Sequence, residues 1–271
     1  MSNDDPASRV WINDPAVTTA RALDEAERTR AALPPLTQTQ PGLSVRDAYA
    51  IQQAWLRSKL ADGSRRLVGR KIGLTAKAMQ DQLGVTEPDF GFLLDAMLVD
   101  SGGAIRREEL LQPRVEPEIA FFLARDLRGP GVSAEAVLAA TRGVATALEV
   151  VDSRIADWRI KLQDTIADNG SSARAVVGAE VPLAGLGDLA AIEVTLTRNG
   201  EPVGHGTGAA VLGHPAAAVA WLANALAPFE HGLLAGQVVL PGAMCASVFA
   251  AAGDTFEAVF PGLGRVSVSF A

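Results

Sequence analysis

The sequence predicts an α+β fold, with a helical N-terminal part to about residue 65 and a β-rich body over 66–271. Three observations predict it. Residues 17–32 are rich in Ala, Arg, Glu and Leu and run into Pro34-Pro35, which stops a helix. Apolar residues alternate in Phe256-x-Ala258-x-Phe260 and Val266-x-Val268-x-Phe270, the period of a strand. Asn199-Gly200, the preferred two-residue hairpin turn, separates two strand-like runs.

The elements follow in order. Ser44-Val-Arg-Asp47 approximates a capping box, with Asp for the usual Glu, and opens a second helix. Ala48, Ile51, Trp55 and Leu56 form its apolar stripe, and Gly63 ends it. A short strand is expected over 67–72. Thr75 can cap a third helix to Leu83, with Gly84 at its C-terminal end. Residues 115–123 and 144–151 read as strands, with a short helix near 133–141. Pro117 donates no ladder bond, so an edge or bulge is expected there. His214-Pro215 opens a helix through about Leu226, with the histidine as its cap. Pro261-Gly-Leu-Gly264 joins the last two strands.

Composition bounds the function. A chain of 271 residues that is 48% hydrophobic has enough apolar material for a sizeable core. A net charge of -7 and no basic stripe argue against a nucleic-acid partner. Cys245 is the single cysteine, so no internal disulfide forms, which suits a reducing compartment. The N-terminus is acidic and lacks the apolar run of a signal peptide. Apolar stretches such as 216–226 are too short to span a bilayer. A cytoplasmic protein with no membrane partner is expected.

Three glutamates carry the chemistry. Glu116 and Glu118 alternate in Arg114-Val-Glu-Pro-Glu-Ile-Ala-Phe-Phe-Leu123, so they share a strand face. Glu149 lies in a second apolar run, 145–151. Carboxylates side by side repel unless a cation sits between them, and all-oxygen ligation favours a hard ion, Mg²⁺ or Mn²⁺. The other reading is a solvated strand face. Lys71 stands between two glycines at a strand end, as a substrate-binding or acid/base group or as a surface lysine beside a turn. Asp89, in Thr86-Glu-Pro-Asp-Phe-Gly91, reads locally as a turn aspartate. Residues 164–174 are polar and suit either a pocket floor or an ordinary loop. No His-Glu-x-x-His, Cys-x-x-Cys, Gly-x-Ser-x-Gly or Walker loop is present. With three histidines, all from residue 205 onward, acid/base work falls on Lys, Asp, Glu or metal-bound water.

Taken together, Val68-Gly-Arg-Lys-Ile-Gly-Leu-Thr75, Glu87-Pro-Asp-Phe-Gly91, Pro113-Arg-Val-Glu-Pro-Glu-Ile-Ala120, Leu148-Glu-Val-Val-Asp-Ser-Arg-Ile155 and Asp164-Thr-Ile-Ala-Asp-Asn169 resemble the hydratase/decarboxylase branch of the fumarylacetoacetate hydrolase superfamily. The resemblance implies a mixed, rolled-up β-sandwich with flanking helices and homo-oligomers, pentamers or decamers. It implies metal ligands at Glu116, Glu118 and Glu149 and catalytic groups at Lys71, Asp89 and Ser171. Leu74, Ser172 and Arg174 are expected to contact substrate. The implied reaction is hydration of a 2-hydroxypenta-2,4-dienoate-type dienol to a 4-hydroxy-2-oxo acid. The alternative is decarboxylation of a 2-oxo-hexenedioate, for which Arg174 is the candidate clamp on a second carboxylate. Gly170 stands where such hydratases commonly carry Ala, and Ser171-Ser172-Ala-Arg174 is closer to the decarboxylases.

Overall fold

The computed structural model describes residues 14–76, 80, 85–229 and 231–271. It opens with helices α1 (Pro15–Thr29), α2 (Leu36–Thr39) and α3 (Val45–Leu60). Asp14 caps α1 by accepting from the Ala16 N–H, and Pro15 takes the first helical position. Arg30, left-handed at φ 56°, ends α1 before the prolines are reached. The capping box of α3 is formed. Ser44 Oγ accepts from the Asp47 N–H at 3.1 Å, and the Asp47 carboxylate accepts from the Ser44 N–H at 3.1 Å. The helix expected over 75–83 falls largely on residues outside those described.

The strands are β1 (Leu67–Gly73), β2 (Asp89–Leu94), β3 (Leu98–Asp100), β4 (Ala104–Ile105), β5 (Arg114–Leu123), β6 (Thr141–Val151) and β7 (Ser172–Val177). They continue with β8 (Val181–Pro182), β9 (Glu193–Arg198), β10 (Glu201–Thr207), β11 (Val238–Leu240), β12 (Val248–Phe249), β13 (Thr255–Phe260) and β14 (Gly264–Phe270). Among them lie helices α4 (Ala134–Ala140), α5 (Leu162–Ala167) and α6 (Pro215–Ala225). Among the described residues the strands form two mixed sheets. One runs β2-β1-β11-β5-β6-β7-β3, with β12 beside β5 and β8 beside β6. The other runs β10-β9-β13-β14-β4, and its β13 and β14 pack against β6. The fold is α+β, as expected.

The helices and the sheet share one core. Tyr49 stacks on Phe90 with ring centres 4.3 Å apart, and Trp55 meets Phe92 edge-on. The buried Gln52 side-chain amide donates to the carbonyls of Phe90 and Ile166, tying α3 to β2 and α5. The apolar stretch Gly208–Phe229 is long enough by composition to cross a membrane. Regular helix covers only Pro215–Ala225, and α6 is mostly buried, against α4 and β1. His214 caps α6 through Nδ1, which accepts from the Ala216 N–H at 3.0 Å.

Pro117 corrects one expectation, because β5 is a central strand rather than an edge. β11 pairs with its end and β12 with its start, which leaves a gap at Pro117. There the Pro117 carbonyl accepts from the Met244 N–H at 2.9 Å. In an antiparallel strand N–H and C=O of one residue point the same way, so the missing donor faces this loop and not β6.

Candidate metal centre

Strand register assembles the glutamates. Glu116 lies directly opposite Glu149 across the β5–β6 pair, and Glu118 follows two residues on. All three therefore project from one face. One carboxylate oxygen from each lies within 4.8 Å of the others. Glu118 and Glu149 are fully buried and Glu116 half-buried, so the solvated-face reading fails. The Gly242 N–H donates to Glu118 Oε2 at 2.7 Å. Glu118 Oε1 and both Glu149 oxygens have no hydrogen-bond partner. Burial, then the charge of Glu149, pushes the Glu116 carboxyl up to about 7. Burial and both neighbouring glutamates drive Glu118 well above the usual carboxylate range. Orphaned carboxylate oxygens are costly away from water, and one oxygen from each of three converging glutamates suits a hard divalent ion. The donor set fits such an ion.

The same face carries Lys71 and Asp89. Lys71 aligns with Leu240 of β11, and Asp89 opens β2 opposite Gly73. Lys71 is 2% exposed and Asp89 1%, so neither is a surface or turn residue. Lys71 Nζ donates to the Gly170 carbonyl at 2.9 Å and lies 3.4 Å from Glu149 Oε2. Burial alone would push the ammonium down, but Glu149, Asp89, Glu116 and Glu118 hold it above its ordinary value. Asp89 Oδ2 accepts from Thr165 Oγ1 at 3.0 Å, and Oδ1 has no hydrogen-bond partner. Burial raises this carboxyl against the opposing pull of Lys71. A Cβ at Gly73 would lie 2.1 Å from Asp89 Oδ1 and 3.3 Å from Lys71 Nζ, so only glycine fits between them.

A strained turn supports the lysine. Asn169, Gly170 and Ser171 are all left-handed, at φ 61°, 57° and 54°. Left-handed non-glycine residues are strained and cluster at functional sites. The turn aims the Gly170 carbonyl at Lys71. Two hydrogen bonds pin it to β2, since Asn169 Oδ1 accepts from the Phe92 N–H and Nδ2 donates to the Phe92 carbonyl. Beneath it, buried Arg154 donates from Nε to Asp168 Oδ1 at 2.6 Å and from Nη1 to the Asp152 and Ser172 carbonyls.

The remaining expected residues divide. Ser171 donates its hydroxyl to Asp168 Oδ2 at 3.0 Å and so joins the Arg154 network, not the glutamates. The Ser172 hydroxyl helps hold the Glu149 carboxyl down, against a net rise set by burial. A bulge in β7 sets Ser172 opposite Val151 and Arg174 opposite Val150. Ser172 thus shares the face of Glu149, while Arg174 points to the other face and pairs with Glu109 at 3.1 Å. The structure does not bring the expected clamp to the site. Leu74, half-buried and left-handed at φ 57°, follows β1, and its carbonyl accepts from Gln80 Nε2. The sequence holds Arg154 and Asp168 in two separate motifs, 148–155 and 164–169, and nothing local pairs them as the support of this turn.

A model of the fumarylacetoacetate (FAA) hydrolase C-terminal family matches residues 52–271. The chain belongs to this family. This family member is 49% identical over 255 residues to the 2-hydroxyhexa-2,4-dienoate hydratase of Comamonas testosteroni, covering 93% of this chain and 96% of that one. It is 45% identical over 252 residues to the 2-keto-4-pentenoate hydratase of Paraburkholderia xenovorans (strain LB400), covering 93% of each. A solved structure of 4-oxalocrotonate decarboxylase from Pseudomonas putida G7, complexed with magnesium and adipate, superposes with a TM-score of 0.91 at 35% identity, covering 94% of this chain and 97% of that one.

Proposed function

We propose that the protein is a metal-dependent hydratase. It adds water to a 2-hydroxypenta-2,4-dienoate-type dienol and yields a 4-hydroxy-2-oxo acid. The observation that carries the reading is one sheet face bearing three converging glutamates, with unpartnered oxygens on Glu118 and Glu149, beside the buried Lys71 and Asp89. The hydratase relatives at 45–49% identity support it. Glu116, Glu118 and Glu149 would hold the ion, which we propose is Mg²⁺ or Mn²⁺. When bound, it supplies Lewis-acid stabilisation of the negative charge that develops on the substrate oxygens.

The chain's own residues move the protons. Lys71 Nζ and Asp89 Oδ1 face the same small space beside Gly73. Between them they move the enol proton to the terminal carbon C5 and then pass a proton from the water that adds at C4 to C3, so that dienol plus one water gives the 4-hydroxy-2-oxo acid. The Gly170 carbonyl fixes Nζ, and Thr165 fixes the Asp89 carboxylate. Burial keeps bulk water from this end of the site. Ser172 is the nearer of the two serines to Glu149 and is the proposed polar contact; Ser171 acts through the turn. Homo-oligomeric assembly, as pentamer or decamer, is proposed with this reading on the family resemblance alone.

Decarboxylation of a 2-oxo-hexenedioate is the second reading, favoured by the likeness to the decarboxylase structure. Arg174, on the far face and paired with Glu109, argues for hydration. The deciding experiment follows dienol absorbance with Mg²⁺ or Mn²⁺ and reads product mass in parallel. Gain of water is the expected result. Loss of CO₂ from an oxalocrotonate-type substrate, with no hydration of the pentadienoate, overturns it.

A further inference from the structure

Arg114 stands on the glutamate face and no role above uses it. It lies two residues before Glu116 on β5, so both side chains leave the same side of the sheet. Its guanidinium sits 4.6 Å from the Trp158 ring centre and 4.0 Å from that of Phe249. Stacking on rings fixes a guanidinium plane and leaves its N–H edge to bind. That edge is barely used. Nη1 reaches Ser247 Oγ only at 3.5 Å, and Nε is buried with no partner.

Its place along the site is defined by register. Val239 pairs with Phe121, so Leu240, and with it Lys71, falls level with Ala120. Lys71 and Arg114 therefore lie at opposite ends of the glutamate triad along β5. The two ends differ in access. Lys71 and Asp89 are 2% and 1% exposed, whereas Arg114 and Trp158 are half-buried and Phe249 is 52% exposed. The Arg114 end is the mouth.

Charge gives this position a task. With every group ionised, a divalent ion and Lys71 leave one negative charge uncancelled against three glutamates and Asp89. That residue of charge repels an anionic substrate, and Arg114 cancels it. A carboxylate loses most on leaving water and a diene least, so the carboxylate belongs at the mouth and the diene at the closed end.

We propose that Arg114, held against the rings of Trp158 and Phe249, binds the C1 carboxylate of the 2-oxo acid and so points the carbon chain toward Lys71 and Asp89. The inference rests on the proposed function for the direction of the chain. It concerns a group shared by every 2-oxo acid, so it holds for mono- and dicarboxylic substrates alike.

The test is calorimetric titration of pyruvate into Mg²⁺-loaded wild-type, Arg114→Met and Arg114→Lys proteins, with Mg²⁺ affinity measured separately and thermal unfolding as the folding control. Arg114→Met is expected to weaken pyruvate about 10- to 100-fold, the range for a charge-assisted hydrogen bond. Arg114→Lys recovers part of the loss. Mg²⁺ affinity stays within about threefold, and KM for the dienol rises more than kcat falls. Unchanged pyruvate affinity overturns the proposal. So does a parallel loss of Mg²⁺, which would make Arg114 a prop for Glu116. So does a defect confined to dicarboxylic substrates, which would assign it to the remote carboxylate. If wild-type enzyme hydrates no dienol yet Arg114→Met still loses pyruvate, the hydratase reading falls and the carboxylate site stands.

Discussion

Two buried charge clusters lie within one turn of each other and have opposite character. In the Arg154–Asp168 cluster every charge is answered. Asp168 accepts from Arg154 Nε, the Arg154 N–H, Ser153 and Ser171, and Arg154 spends its remaining donors on backbone carbonyls. In the glutamate cluster Glu118 Oε1 and both Glu149 oxygens have no hydrogen-bond partner. Glu118 and Glu149 are as deeply buried as Arg154 and Asp168. The difference teaches that a satisfied buried cluster sets shape, while an unsatisfied one is kept for something that arrives later.

The largest effect expected from this contrast is at the glutamates. Outer-sphere partners alone are worth about 10- to 100-fold in metal affinity, so Glu149→Gln should lose more than about 100-fold together with activity. Stability should move the other way. In the metal-free protein Glu118 is raised above its unfolded value, so its contribution is present at low pH and lost as pH rises through the folded value. Glu118→Gln removes that loss, and the metal-free protein should melt higher than wild type at pH 8. Thermal unfolding in chelator reads this. A lower melting temperature would place the triad with the satisfied cluster.

Asp168→Ala should show the reverse pattern. Removing one partner of a buried pair leaves Arg154 uncompensated and costs about 3–5 kcal/mol. Denaturant unfolding measures the loss. Metal affinity of the folded fraction should hold, since Asp168 faces Arg154 and not the glutamates. Wild-type stability after this change would strip the network of its proposed role.

The pH dependence of metal binding sharpens the contrast further. Glu116, at about 7 in the metal-free protein, and Glu118, higher, hold protons that an ion must displace. Affinity should therefore fall as pH drops from 8 to 6, by up to about tenfold per unit for each proton released. Titrations in two buffers of different ionisation enthalpy count those protons. A flat profile would mean that the carboxylates are already ionised and the ion has nothing to displace.

Much of this was legible before the structure. Alternation located β5, β13 and β14, Ser44 and Asp47 marked the start of α3, and Glu116 and Glu118 already shared a strand face. Glu149 stood out as a third carboxylate in an apolar run, but its place as a ligand came from the resemblance, because nothing local says which residue lies opposite Glu116. What stayed hidden depends on single-residue geometry. The bulge in β7 adds one residue, and that slip sends Arg174 to the far face while Ser172 keeps the near one. The left-handed run 169–171 has one glycine among three residues, too little to announce itself. Arg114 is defined by Trp158 and Phe249, which lie 44 and 135 positions downstream. Pro117 misled because a central strand can have a local gap on one edge.

The smallest predicted effect separates two adjacent hydroxyls. Ser171 donates to Asp168, so Ser171→Ala should cost about 1 kcal/mol of stability, the worth of one hydrogen bond. Its effect on catalysis would come indirectly, through the Gly170 carbonyl that holds Lys71, and so should appear in kcat more than in KM. Ser172 has no other partner for its hydroxyl than the neighbourhood of Glu149. Ser172→Ala should leave stability nearly unchanged and raise KM or weaken the metal instead. Parallel unfolding curves and Michaelis profiles of the two variants distinguish these outcomes. If Ser171→Ala raises KM at unchanged stability, its hydroxyl leaves Asp168 for the substrate during turnover, and the division between a satisfied scaffold and an unsatisfied site passes through this turn rather than beside it.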